Sequence, residues 1–193
     1  MTTAISVCGI NRPLGRSATI LAPTYRFCAS SDPMEPLIIS DVGIIVMPGG
    51  GYNELIDKDE QTPVAEYFAQ KFGITTFVLY YRLVQTNGTY RYPVPMWDAQ
   101  RAVRFVRANA AEYGISPEHI GVFGFSAGGH LASTIAIHFD TSFGLPVEDG
   151  LDSTDARPDF MGLGYPVISM DPNQYARRKT HCGTCSAATK ERN

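Results

Sequence analysis

No run of apolar residues in this chain approaches the ~20 that a membrane-crossing helix needs, and 193 residues include only one tryptophan, four cysteines and four histidines. Residues 1–20 contain Arg12, Gly15 and Arg16 where a secretory leader would carry an uninterrupted apolar core. The expectation is a soluble, cytoplasmic protein with reduced thiols, Cys8 and Cys28 among them. Charge is also scarce on balance. Sixteen basic residues against nineteen acidic ones give a net charge of −3, which leaves no polybasic patch for anionic lipid and no electrostatic footprint for nucleic acid. Neither a membrane nor a nucleic acid is therefore expected as partner, and a small neutral or acyl substrate fits better.

A hydrophobic fraction of 44% over this length suits one domain with a substantial core. Ile44–Met47 is a short β-branched run bounded by Gly43 and Pro48, which predicts a buried strand running into a glycine loop. Thr62 is placed as an N-cap with Pro63 at the first helical position, and Val64, Phe68 and Phe72 form a stripe that Gly73 ends. A second strand is predicted over Thr76–Tyr80. Met96–Tyr113 has helical periodicity: Ala99, Ala102, Val103, Val106 and Ala110 share a face, with Arg101, Arg104 and Arg107 off it as a solvated stripe. Asp98, in the first turn, suits the helix dipole, with a link to the catalytic turn as the other reading. Ile120–Phe123 is a third strand, followed by a helix to about Phe139, and Phe160–Ser169 resumes strand character. This alternation predicts an α/β protein: a doubly wound, mostly parallel sheet with helices on both faces. The segments before Asp41 could add one or two strands at its edge.

Gly124-Phe125-Ser126-Ala127-Gly128 fits the G-x-S-x-G nucleophile elbow, in which a serine on a sharp strand-to-helix turn projects clear of the sheet. Acyl transfer there needs an oxyanion hole made by the N–H after the serine and by a second N–H from a loop following an earlier strand. Ala127 would supply the first. Pro48-Gly49-Gly50-Gly51-Tyr52 stands where the second belongs, and glycines let a backbone N–H approach a substrate without an intervening side chain. Neither G-x-G-x-x-G nor G-x-x-x-x-G-K-[ST] occurs in this loop, so no nucleotide cofactor is expected. His181-Cys182-x-x-Cys185 lacks the paired second half of a structural zinc site, and no metal is expected.

These two glycine motifs, with Gly129-His130-Leu131-Ala132 after the elbow and the Tyr92-Pro93-Val94-Pro95 approach to the long helix, resemble the α/β-hydrolase acetyl-esterase and xylan-esterase-like family from about Val42 to Ser169. The resemblance implies Ser126 as nucleophile, with Ala127 and Gly50 or Gly51 as oxyanion donors. It implies an acetyl or short-acyl ester as substrate, carbohydrate esters included. It also implies an acid and a base on loops after two further strands beyond Ser169, and those strands are absent from this sequence.

A serine needs a histidine to take its proton and usually a carboxylate to orient that histidine. Past Ser126 the chain offers Asp171 and His181 in the required order. Both belong to residues 171–193, a stretch with no Ile, Leu, Val, Met, Phe or Trp and with five basic residues against two acidic ones. Such composition cannot bury enough apolar surface to order itself. The expected organisation is a partial α/β-hydrolase domain over 1–170, lacking its last strands, and a polar basic tail over 171–193. His130 is expected to be structural, and His119 and His138 to be ordinary surface or satisfied histidines. Three functions stay open: a serine esterase, an amidase or peptidase of the same fold, and a catalytically incompetent module that only binds. Gly164–Ile168, read as a strand without a successor, would leave an edge open to self-association.

Overall fold

The computed structural model describes residues 4–8, 27–28, 40–84, 90–144 and 150–169. Their strands form one sheet in the order β2-β1-β4-β3-β5-β6, with β1 at Ala4–Cys8, β2 at Phe27–Cys28, β3 at Gly43–Met47, β4 at Thr75–Tyr80, β5 at Ile120–Phe125 and β6 at Phe160–Gly164. β3, β4, β5 and β6 are mutually parallel, β1 runs antiparallel to β4, and β2 is parallel to β1. The sheet is thus mostly parallel, and the segments before Asp41 do add two strands at one edge.

Period-two alternation in β3 sends its side chains to two different cores. Ile45 and Met47 join Phe77 and Leu79 in a cluster with Ala99, Val103 and Val106 of α2 (Val94–Ala108) and Leu131 and Ile135 of α4 (Ser126–Ile137). Ile44 and Val46 face the other way, with Val78, against Ala65, Val64 and Phe68 of α1 (Thr62–Phe72). Helices therefore cover both faces. From β3 the chain crosses through α1 to β4 on one side, then returns through α2 and the short α3 (Ala110–Tyr113) to β5 on the other side. The carboxyl ends of β3 and β5 flank the point where the winding reverses, which is where ligand crevices form in open α/β sheets.

Several expectations need correction. The long helix begins at Val94, with Pro95 in its first turn, and breaks at Asn109, whose side-chain amide donates to Phe105 O at 2.8 Å. Thr62 lies inside α1, and Gln61 precedes it as the cap residue; Gly73 closes the helix in the left-handed region, φ 64°. α4 stops at Ile137, and carbonyls of the residues that follow it are met by Gln100, whose Nε2 donates to His138 O, Phe139 O and Thr141 O. Asp98 lies past the first turn of α2, so it is not the dipole residue expected there. Its carboxylate is buried and accepts the backbone N–H, Nε and Nη2 of Arg82 at 2.7–3.1 Å. The arginine stripe is not simply solvated either: Arg104 donates to Thr154 O and Asp152, and Arg107 to Pro117 O, Asp155 O and Asp159. Asp159 in turn accepts the N–H of Ile120, so Arg107 helps to set β6 against β5. β6 ends at Gly164 rather than Ser169. Tyr165 takes φ 35°, which turns the chain out of the sheet and over the end of β5. Residues 171–193, with Asp171 and His181, lie outside the described residues.

Candidate active site

Met47 and Gly124 are partners in the β3/β5 register, so the two glycine motifs leave the sheet side by side. Ser126 follows Phe125 directly and opens α4 with φ 48°, a left-handed conformation rare for a residue with a Cβ. Such a conformation costs on the order of 1–3 kcal/mol and persists only where the surroundings over-determine it. Those surroundings are visible. A Cβ on Gly124 would fall 2.2 Å from Gly128 O, and one on Gly128 would fall 2.1 Å from Met47 O and 2.4 Å from Pro48 O. The glycines on either side of Ser126 thus let α4 start hard against the ends of β3 and β5. Ala127 is buried within the first turn, where helix amides have no partner inside the helix.

The loop after β3 is held at several points. Tyr81, fully buried, donates its hydroxyl to Pro48 O at 2.6 Å. Gly49 N–H donates to Glu60 Oε2 at 2.5 Å, and Gly49 O accepts the N–H of Ile56. Gly50 O accepts the N–H groups of Asn53 and Glu54. Gly50 has φ 126° and no room for a Cβ, which would lie 2.2 Å from Glu54 O; Gly51 follows at φ 63°. The loop passes beside the elbow, since a Cβ on Gly49 would sit 3.0 Å from the Ser126 Cβ. Tyr52, also in the left-handed region, hydrogen-bonds His130 Nδ1 at 2.7 Å through its hydroxyl. Burial raises the Tyr52 and Tyr81 hydroxyls above the ordinary phenol range, Tyr81 helped by the charge of Glu60, and burial lowers His130, so this cluster stays neutral.

The structure therefore brings Ser126, Ala127 and the Gly50/Gly51 loop to one place. The three described histidines are engaged with other partners or positions: His119 Nδ1 lies 2.9 Å from Asp41 Oδ2, His130 is bonded to Tyr52 of the glycine loop, and His138 caps α4. Two residues that no motif marks belong to the same place. Glu60 is buried, and its Oε1 accepts the hydroxyl of Tyr165, which that bond raises to about 12. A carboxylate between a helix stripe and an acidic loop looks solvated in sequence, so only its burial distinguishes it.

A family model described as BD-FAE matches residues 40–157. The chain is 35% identical over 142 residues to an acetylxylan esterase of Xylanibacter ruminicola, covering 74% of this chain and 25% of that protein. Among solved structures, an acetyl ester-xyloside bifunctional hydrolase from Caldicellulosiruptor lactoaceticus is similar at 40% identity and a TM-score of 0.60, over 72% of this chain and 48% of that one. A thermophilic esterase from Thermogutta terrifontis is similar at 28% identity and a TM-score of 0.57, over 72% and 51%. The chain thus spans about a quarter of that acetylxylan esterase and about half of these solved chains. The winding order, the elbow between β5 and α4 and these likenesses make the fold that of an α/β-hydrolase. Among the described residues no helix is long and apolar enough to cross a membrane.

Proposed function

Because the chain belongs to the BD-FAE family, an esterase-like family of the α/β-hydrolase fold, we propose that it acts as a serine hydrolase of carboxylic esters with acetyl or short-acyl groups, carbohydrate esters among them. The observation that carries this reading is the strained Ser126 at the β5–α4 turn, held between two glycines that tolerate no Cβ. A hydroxyl presented there attacks the ester carbonyl; the tetrahedral oxyanion would accept the Ala127 N–H and one N–H from Gly50 or Gly51. Gly49 is not the donor in this scheme, because its N–H is already engaged by Glu60. Collapse expels the alcohol and leaves an acyl-serine, which water then hydrolyses. A carbohydrate ester is favoured by the acetylxylan esterase and acetyl ester-xyloside hydrolase among the similar proteins.

The scheme needs a proton acceptor and a carboxylate to orient it, for which the sequence past Ser126 offers His181 and Asp171 as candidates. A second reading is favoured by the described histidines, since His119 is bonded to Asp41 and His130 to Tyr52: without His181 in reach of Ser126, the chain would bind an ester and not turn it over. The test is hydrolysis of p-nitrophenyl acetate by the full chain, Ser126→Ala and His181→Ala. Loss of a triad serine or histidine costs about 10⁶ in kcat, with ~10³–10⁴ over water remaining. Turnover abolished by both substitutions supports the esterase; turnover indifferent to Ser126→Ala contradicts it. We also infer that the outer edge of β6, flanked by exposed Phe160 and Met161, pairs with a second copy of the chain.

A further inference from the structure

Three contacts tie the segment after β6 to Glu60, to α4 and to the elbow serine. Tyr165 donates its hydroxyl to Glu60 Oε1. Pro166 packs so closely on α4 that a Cβ on Gly129 would lie 2.7 Å from its Cβ. Val167 N–H donates to Ser126 O at 3.0 Å. Glu60 completes the circuit, because its other oxygen accepts the Gly49 N–H at 2.5 Å. Oε2 and the Ser126 Cβ approach the same point beside Gly49, at 2.8 and 3.0 Å from where its Cβ would be. One buried carboxylate therefore bonds both the loop that follows β3 and the segment that follows β6, with the elbow between them.

A carboxylate with two donors on opposite oxygens is fixed in orientation as well as in place, and charge-assisted bonds of this kind are about twice as strong as neutral ones. Buried, it is also expensive to leave half-satisfied. Removing either donor thus loosens the other.

We propose that Glu60 is a positioning residue that sets the glycine loop beside Ser126 only when the Tyr165–Val167 segment is docked, so that docking of this segment controls the geometry of the oxyanion donors. The mechanistic half of this statement rests on the esterase reading above; the coupling itself does not. Tyr165 has little cover of its own, being 64% exposed, which suits a segment that a bound acyl group or a neighbouring chain could displace.

The test follows amide hydrogen exchange at Gly49 by NMR on the full chain, in wild type, Glu60→Gln, Glu60→Ala, Tyr165→Phe and the double variant Glu60→Ala/Tyr165→Phe. Loss of a charged acceptor should speed Gly49 exchange by about tenfold or more in Glu60→Ala, and by a smaller factor, about threefold, in Tyr165→Phe. Glu60→Gln, which keeps the shape and one acceptor, should fall between wild type and Glu60→Ala. Tyr165→Phe should have no further effect once Glu60 is alanine, an outcome that a merely structural role for either residue does not produce. If Glu60→Ala does not fold, Glu60→Gln and Tyr165→Phe decide the matter through the same amide. Gly49 exchange within twofold of wild type in Glu60→Gln and Tyr165→Phe, or additive effects in the double variant, would overturn the proposal. Acylation by p-nitrophenyl acetate is measured on the same samples, with Ser126→Ala alongside. There the rate should fall with Gly49 protection, with kcat affected more than KM. Acylation unchanged in Ser126→Ala would refute the esterase reading alone, leaving the amide data to judge Glu60.

Discussion

Every residue of β3 from Gly43 to Met47 is buried, whereas in β6 none from Phe160 to Gly164 is. The two strands lie on opposite sides of β5 and have five residues each. The glycines of the elbow and those of β6 make the contrast sharper. At the elbow, a Cβ on Gly128 would strike Met47 O and Pro48 O and one on Gly124 would strike Gly128 O, all main-chain atoms of β3, the loop after it and α4. Along β6, a Cβ on Gly162 or Gly164 would strike the rings of Phe123 and Phe125, which can rotate aside. The central crevice is thus specified by rigid main chain and the margin by adjustable side chains. Ser126 can be held at an unfavourable φ only on the first of these two kinds of support.

The comparison is broken most directly by making the same substitution in both regions. Gly128→Ala should lose about 3 kcal/mol or more despite the better helix propensity of alanine, whereas Gly162→Ala should lose about 1 kcal/mol. Urea unfolding with a common m-value measures both, and equal losses would show that the margin is as rigid as the crevice. A smaller effect follows from His130, which burial holds below its ordinary value of 6.5. Folding favours its neutral form, so its contribution is fully present above about pH 6.5 and is lost as pH falls from there through the lowered folded value. Stability measured from pH 8 down to 5 should decline accordingly, and His130→Gln, which can still accept from Tyr52, should flatten that part of the profile. The smallest effect on stability is expected at the margin: Met161→Lys, at a side chain 42% exposed, should change unfolding by no more than about 0.5 kcal/mol. It should nevertheless shift the molecule toward monomer in light scattering, if copies pair through β6.

The same division explains what could be read from the sequence. The crevice is legible because its signals are local: Ile44–Met47 ends at Pro48, Gly124 and Gly128 bracket Ser126, and the left-handed turn requires small neighbours whatever the rest of the chain does. The parallel, doubly wound character of β3 to β6 follows from the alternation of strands and helices, though the strand order does not, and edge strands before Asp41 are within reach of the same reading. What is not legible depends on partners distant in sequence. Asp98 is paired with a residue sixteen positions away, and Arg104 and Arg107 reach loops about fifty positions on. Glu60 meets Tyr165 across 105 positions. Helical periodicity reports which face is polar, not whether that face is covered, so the arginine stripe looks solvated. The apolar run past Gly164 looks like a continuing strand, but Tyr165 leaves the sheet to reach Glu60, and no nearest-neighbour pattern encodes that turn.

The central claim is that the rigid crevice exists to present Ser126 as a nucleophile. It is tested most directly by treating the full chain with an acylating or phosphonylating ester and locating the modification by peptide mass spectrometry. A single adduct on the peptide containing Ser126, absent from Ser126→Ala and much reduced in Gly128→Ala, is the predicted result. An adduct that persists in Ser126→Ala, or a wild-type Ser126 that remains unmodified while the protein is folded, would contradict the account.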